Sequence, residues 1–502
     1  MLAWTIYISF FGAAILLLLP KRAASLARCL ALLAATSACG IALAAFLRHR
    51  TGELFTIVDK PWIASLGIQY HLAADGISLS LVLLTGIVAI AGVLFSWDID
   101  DRTNQFFAFY LLLIGAVYGV FLSYDLFLLF VFYEIVIIPK YFLIANWGST
   151  RREYGAMKLA IYSIVGSAMV LVGLIAAYVA AGSSSMALDK LAGFPFSAHF
   201  QMVAFPVVFV GFAILAGLWP FHTWAPTGHV AAPTAASMLL AGVVMKLGAY
   251  GCLRVAMTLF PLGLGPWSHP VLGIHSWREV FAALAVIGIL YGALVALVQR
   301  DFKFVIGYSS VSHMGFILLG LMTLNLMGLS GAIIQMISHG LIGGLLFAVV
   351  GRMVYARTHT RELAALGPMN LSSALPFAAV TFVVAGMAGM GLPGFSGFVA
   401  ELMIVIGAWR AFPVLALAVG FGILIGIVYV WRAMQKAFFA ERGHELPPPD
   451  PLQPITIPEK IAAALLIASS VAVGLYPQMV LNIIQPALHS LLFAGLRPGG
   501  WQ

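Results

Sequence analysis

From residue 3 onward the sequence alternates between long apolar runs and short polar connections: 3–19, 28–47, 77–95, 105–122, 126–146, 159–181, 200–218, 233–258, 279–298, 304–324, 330–350, 375–408 (interrupted), 411–431 and 459–476. Roughly 20 apolar residues in a helix cross roughly 30 Å of hydrocarbon. In that medium every backbone N–H and C=O needs a partner within the chain, which restricts spanning structures to helices and closed barrels. Continuous runs of this length are helical rather than alternating, so the pattern predicts an all-α polytopic membrane protein of about fourteen transmembrane helices. Composition agrees: 62% of residues are hydrophobic and 9% charged, against about 25% charged in soluble domains. The first run has neither a charged leading region nor a cleavage site and is followed by span after span, so it reads as a retained helix.

The net charge of +8 raises the question of nucleic acid, and the placement of the basic residues answers it. With the N-terminus outside, sixteen Lys and Arg fall in cytoplasmic loops, among them Arg151, Arg152, Arg300, Arg352, Arg361 and Arg442, and seven fall outside. Such a bias is the positive-inside signature of a membrane protein, with both termini outside. Cys29, Cys39 and Cys252 have no paired spacing, and no CxxC, Walker or dinucleotide-binding motif is present, so the chain is expected to hold no iron–sulfur cluster or nucleotide. His222 with His229, or His313 with His339, is a conceivable metal or haem pair, but the spacing singles out no metal. Redox chemistry is expected in other polypeptides.

Two spans are interrupted by Gly and Pro at membrane depth: WPFHTWAPTGHVAAPTAAS after Leu218, and GMAGMGLPGFSGF from Gly386 to Phe398. Unwound backbone at that depth is tolerated where protein or water satisfies it, and paired interruptions in corresponding segments point to a transport path within an inverted repeat. The breaks fall in the seventh and twelfth spans. They divide the chain into helices 1–3 (1–104), a first five-helix repeat of helices 4–8 (105–258), a second of helices 9–13 (279–431), and a cytoplasmic loop with helix 14 (432–502).

The same spans carry ionisable residues: Glu134 in the fifth, Lys246 in the eighth, His313 in the tenth, His339 in the eleventh, and Glu401 just past the second break. A charge at the bilayer centre costs at least about 2.5 to 3.5 kcal/mol, and such residues normally face a polar interior or an ion path. The bland reading of the carboxylates is a pair locking helices together; the functional one is a proton relay, in which a moving charge swings the affinity of its neighbours for protons. Histidines suit such a relay, although a lone buried His is often a packing residue. Arg254 and Arg410, near the predicted outer ends of their spans, read as snorkelling anchors. Lys303, just before the tenth span, is either a loop lysine or a point of proton entry.

VIGYSSVSHMGF (305–316), QMISHGLIGGLLFAVVGRMVYARTHTRELAALG (335–367), GMGLPGFSGFVAELMI (389–404) and PTAASMLLAGVVMKLGAYGCLR (233–254) resemble the chain M type of antiporter-like membrane subunit of respiratory complex I, over at least residues 75–435. That resemblance implies a fourteen-helix proton-translocating subunit of an NADH:quinone oxidoreductase, itself without a redox site. It implies partner membrane subunits, with NADH, flavin, iron–sulfur clusters and quinone in companion polypeptides. The implied proton path is Glu134, Lys246, His313, His339 and Glu401, with Lys303 as a candidate entry. Related subunits occur in multisubunit cation/proton antiporters and membrane-bound hydrogenases, which remain alternative settings.

The departures carry equal weight. Where the family pattern KxPxxPxHxWLPDAH places a lysine in the seventh helix, this chain has Leu215; Gly217 replaces the first proline and Thr227 the aspartate. Glu134 has therefore lost the partner that the family implies, and a structural subunit with a decayed first path is a further alternative. Lys140, six residues after Glu134, is a possible replacement. On a straight helix the two lie about 120° and roughly 9 Å apart, so Lys140 pairs only if Pro139 bends the helix. Snorkelling to the near surface is the simpler expectation.

Overall fold

A computed structural model of the chain describes residues 1–20, 23–49, 51–271, 273–440 and 452–497. Lys21, Arg22, Arg50 and Arg442, which entered the charge count, and part of the loop assigned to 432–502 lie outside the described residues. Twelve helices among those described are long and apolar enough to cross a membrane, and Ala3–Leu18 and Pro376–Gly389 are shorter apolar helices. The apolar stretches of Thr234–Leu259 and Leu326–Thr358 are fully buried, whereas Pro413–Phe438 turns most of its surface outward. Polar side chains on the two central helices are thus enclosed by protein rather than lipid.

Small residues set the crossing of these two helices. A Cβ built on Gly340 would lie 2.7 Å from the Gly242 carbonyl oxygen, and one on Gly242 would lie 3.2 Å from that of Gly340. Backbones touch there, as small residues permit between membrane helices. Gly328 and Gly407 repeat the device between Leu326–Ala348 and Ser396–Ala411, where a Cβ on Gly407 would meet the Gly328 backbone at 2.6 Å. The eighth, eleventh and twelfth spans are held together in this way, and their ionisable residues come with them.

Both predicted breaks are present, and in both the freed backbone finds partners. Ala198–Ala216 ends at Gly217 with φ +82°; the Leu218 N–H donates back to the Ala213 carbonyl at 2.9 Å, and the Trp224 indole N–H donates to that of Ile214 at 2.8 Å. The chain resumes as Trp224–Ala231 and then Thr234–Leu239. The second break is shorter than the sequence indicated: Pro376–Gly389 continues into the glycine-rich stretch, and the helix restarts at Ser396. A further irregularity splits the fifth span at Val136 into Leu126–Ile135 and Ile137–Trp147. Pro139 has no N–H for the Ile135 carbonyl, which accounts for its place. Short π-helical segments at Leu240–Val244 and Cys252–Ala256 flank Lys246 on the eighth span.

The all-helical expectation has one addition. Phe55–Ile63 pairs antiparallel with Ile68–Ala74, forming a hairpin between the second and third spans that runs straight into Asp75. The Asp75 carboxylate caps the third span, accepting from the backbone N–H of Ile77 at 3.1 Å and Ser78 at 3.0 Å. Asp125 and Asp301 cap the fifth and tenth spans in the same manner.

Ile457–Leu475 is tied to the core by charge. Glu459, 1% exposed, accepts from Arg352 Nε at 2.6 Å and Arg357 Nη2 at 2.8 Å, and Arg352 also pairs with Asp98. Removing one member of such a cluster leaves buried charge uncompensated. Glu459→Ala is expected to cost about 3 kcal/mol, seen as a lower unfolding midpoint of the purified protein in detergent; Glu459→Gln, which keeps hydrogen-bond acceptance, should lose less.

Candidate functional site

The crossing at Gly242 and Gly340 places Lys246, one turn beyond Gly242, against His339. Lys246 Nζ lies 2.8 Å from His339 Nδ1 and also donates to the Ala241 carbonyl; both side chains are buried. An ammonium donates only, so with Lys246 charged the facing Nδ1 accepts and the neutral imidazole carries its proton on Nε2. The His339 ring stacks on His313 with centroids 5.4 Å apart and planes 27° from parallel. His313 Nδ1 in turn lies 3.3 Å from Glu401 Oε1 and 3.3 Å from the Gln335 side-chain nitrogen. Glu401 is 7% exposed. A cavity of about 10 Å³, close to the least that holds one water, lies among His313, His339, Ser338 and Glu401. Four of the residues read from the sequence therefore form one line across four spans, with hydrogen-bond distances at its two ends and stacked imidazoles in the middle.

Lys303 is buried, not a loop lysine. Its Nζ donates to the Ala232 carbonyl at 2.6 Å and to that of Val230 at 3.3 Å. These are the free carbonyls that end Trp224–Ala231, where the helix dipole favours a cation. Arg361 shares Val230 at 3.1 Å and pairs with Asp301 at 3.2 Å. A polar cavity of about 340 Å³ lies beside them, lined by Arg300, Asp301, His359, Arg361 and Glu362.

His229 is near both lysines. It is fully buried, stacks on Phe347, has no partner for either ring nitrogen, and is near enough to Lys303 and Lys246 to feel both charges. The sequence reading weighed this residue only as a metal ligand. Among the described residues no group of three or more His, Cys, Asp and Glu is placed to hold a metal ion.

The first half is arranged differently. Leu215 is buried where the lysine was expected. Glu134 is partly buried and its Oε1 has no hydrogen-bond partner. Lys140 does not snorkel: it is 1% exposed and donates to Ser163 Oγ at 2.9 Å on the sixth span. Its charge reaches Glu134, although no ion pair joins them. Arg254 is likewise no anchor. It is 2% exposed and pairs with Asp75, Nη2 to Oδ2 at 2.6 Å, because the carboxylate that caps the third span stands beside it.

A bundle of spanning helices with two satisfied breaks and a buried line of ionisable groups defines an integral membrane protein of the antiporter-like class. The family model described as NADH:quinone oxidoreductase/Mrp antiporter, TM matches residues 123–426. NADH-quinone oxidoreductase subunit M of Rhodobacter capsulatus is 35% identical over 461 residues, covering 90% of this chain and 86% of the relative. The subunit M of Escherichia coli K12 is 36% identical, covering 86% and 84%. Among solved structures, a chain of respiratory complex I from Thermus thermophilus with bound NADH matches at TM-score 0.86 and 27% identity, over 98% of this chain and 100% of that one. A chain of the Mrp complex from Dietzia shares the fold, with TM-score 0.84 at 20% identity over 99% of each chain. The chain belongs to the NADH:quinone oxidoreductase/Mrp antiporter family of transmembrane subunits.

The second break holds Glu401 closely. Gly391 has φ +71° and a Cβ there would lie 2.9 Å from Glu401 Oε2, whereas Gly394, at φ +99°, has open space within 4 Å. Both alanine substitutions carry backbone strain of about 1–2 kcal/mol, but Gly391→Ala alone displaces the carboxylate. At matched assembly, turnover in Gly391→Ala should fall well below that in Gly394→Ala, measured on the purified complex.

Proposed function

We propose that this chain is a proton-translocating membrane subunit of a complex I-type NADH:quinone oxidoreductase. It couples electron transfer in companion subunits to proton movement, and NADH, flavin, iron–sulfur clusters and quinone are held by those companions. Its setting is a bacterial inner membrane, beside other membrane subunits, with both termini outside. The observation that carries this reading is the line Lys246, His339, His313, Glu401. It contains an ammonium, two imidazoles and a carboxylate: hydrogen-bond distances join Lys246 to His339 and His313 to Glu401, the two rings stack between them, and no nucleophile with an activating base is among the four.

Protons enter from the polar cavity at Arg300, Asp301 and His359, reach Lys303, and pass through His229 to Lys246. A positive charge arriving at one member favours the deprotonated form of the next, so protons are loaded at one end and released at the other without covalent chemistry. The helices fall into two inverted five-helix units, 105–258 and 279–431; the first supplies Lys246 to the line and the second His339, His313 and Glu401. In the first, Lys140 is the buried cation whose charge acts on Glu134 in place of the missing seventh-helix lysine, without a direct ion pair.

Glu401→Gln keeps size and hydrogen bonding but removes the titrating charge. Proton uptake by vesicles carrying the assembled complex should fall at least tenfold during turnover; unchanged uptake per electron overturns the reading. The first-half assignment has its own check. Lys140→Met and Glu134→Gln should impair turnover to a similar degree, with the double variant no worse than either single one, as expected of coupled residues. Normal uptake in assembled Lys140→Met complex removes Lys140 from the path.

A further inference from the structure

The line has a gap at its centre. An imidazole nitrogen donates and accepts in the plane of its ring, whereas His339 and His313 face each other ring on ring, with centroids 5.4 Å apart. The stack offers a proton no direct path. Beside it lies the cavity of about 10 Å³, and three groups on its wall have unused hydrogen-bonding capacity. With Lys246 charged, His339 carries its proton on Nε2, and that nitrogen lies over Gly343, where a Cβ would be 3.1 Å away; Gly343 lines the cavity. Gln335, 1% exposed, lines it too, and its Oε1 has no protein partner. The third group is the Ser338 hydroxyl.

Ser338 ends a chain of hydroxyls that begins on another span. Ser396 Oγ donates to Ser338 Oγ at 2.9 Å, and Ser396 Oγ lies 2.9 Å from Ser470 Oγ on Ile457–Leu475; all three residues are buried. A hydroxyl has one proton to donate. Ser396 gives its proton to Ser338, so Ser470 is the donor in the outer bond, and the Ser338 proton is left to turn into the cavity that this residue lines. A chain directed this way polarises each bond in turn and strengthens the last donor. Backbone contact fixes its origin: a Cβ on Gly474, one turn past Ser470, would lie 2.4 Å from the Gly394 carbonyl oxygen in the second break. A span outside the proposed five-helix units thus reaches the relay.

We propose that one water occupies this cavity and carries protons past the stacked rings, from His339 to the His313–Glu401 pair, and that Ser338, aimed by Ser396 and Ser470, holds it in place. The proposal rests on the relay reading above. A buried water needs about two to four polar partners. Here Ser338 and His339 Nε2 donate to it, and it donates to Gln335 Oε1 and to Glu401, which also lines the cavity. In the transfer step Lys246 gives a proton to His339 Nδ1 as Nε2 releases its own to the water. The water in turn releases one of its protons to the Glu401 carboxylate, which His313 Nδ1 adjoins at 3.3 Å. The ammonium becomes an amine and the carboxylate an acid, while the imidazole stays neutral with its proton moved from Nε2 to Nδ1.

The test uses the whole assembled complex in vesicles, with Glu401→Gln run alongside, and a density map of the same complex fine enough to show single waters. Density for one water is expected within hydrogen-bond reach of Ser338 Oγ and His339 Nε2. Ser338→Ala should remove that density while both rings keep their places, and should lower proton uptake per electron at least about fivefold, as the loss of one hydrogen bond implies. Ser470→Ala, which touches no member of the line, should lower uptake at least twofold, and Ser470→Thr, which keeps the hydroxyl, should restore it. A cavity without water density, or full uptake in Ser338→Ala or Ser470→Ala, overturns the bridge; density in the unsubstituted complex decides the matter where a variant does not assemble. If Glu401→Gln also pumps normally, the relay itself has failed; if it is inactive while both serine variants pump fully, the bridge alone has.

Discussion

An ammonium group in the middle of an apolar bundle is costly unless its protons find acceptors, and the structure is organised around meeting that demand at Lys246. The acceptors are one carbonyl of its own helix and one imidazole of the next. The imidazole would be out of reach if the eighth and eleventh spans were spaced by ordinary side chains, so the glycine contact between them is a condition of the chemistry as much as of packing. The cost of desolvation falls on whichever group is charged at a given moment. Charge in such a line is therefore best accommodated when it is shared or passed on, and the adjoining His313 and Glu401 give it somewhere to go.

Much of this was legible in the sequence, because ionisable residues in apolar runs are rare enough to stand out one by one. Lys246, His313, His339 and Glu401 were each found by depth alone, and the structure brings them into contact. Residues near span ends were harder. Arg254 and Lys140 looked like snorkelling anchors because position along a span does not report which way a side chain turns. The partner that holds Arg254 inward is Asp75, a residue remote in sequence that reads locally as a helix cap. His229 was legible as a polar residue at a break, but its nearness to two lysines depends on how three spans pack. The hairpin at Phe55–Ala74 lay in a stretch with no long apolar period and left no trace in a search for spans.

Two buried cations of the first five-helix unit are seated by different means. Lys246 meets an imidazole from the second unit that can itself take a proton; Lys140 meets a serine hydroxyl, whose own proton is given to the Leu159 carbonyl at 2.8 Å. A hydroxyl so placed holds an ammonium without competing for its proton. Leu215, at the end of the helix that precedes the first break, fills with hydrocarbon the place where charge was expected.

Gly52 and Gly76, at the base of the hairpin, grip a single peptide group: a Cβ on either would fall within 2.0 Å of the Ile483 carbonyl oxygen. Gln478–Leu488 is thereby seated on backbone made long before it during synthesis. Such contacts between distant parts of a chain form late, since a large loop must close first. The base of the hairpin is accordingly clasped only after the last spanning helix has been made, so a truncation before residue 478 would leave the spanning helices in place and this glycine cradle empty.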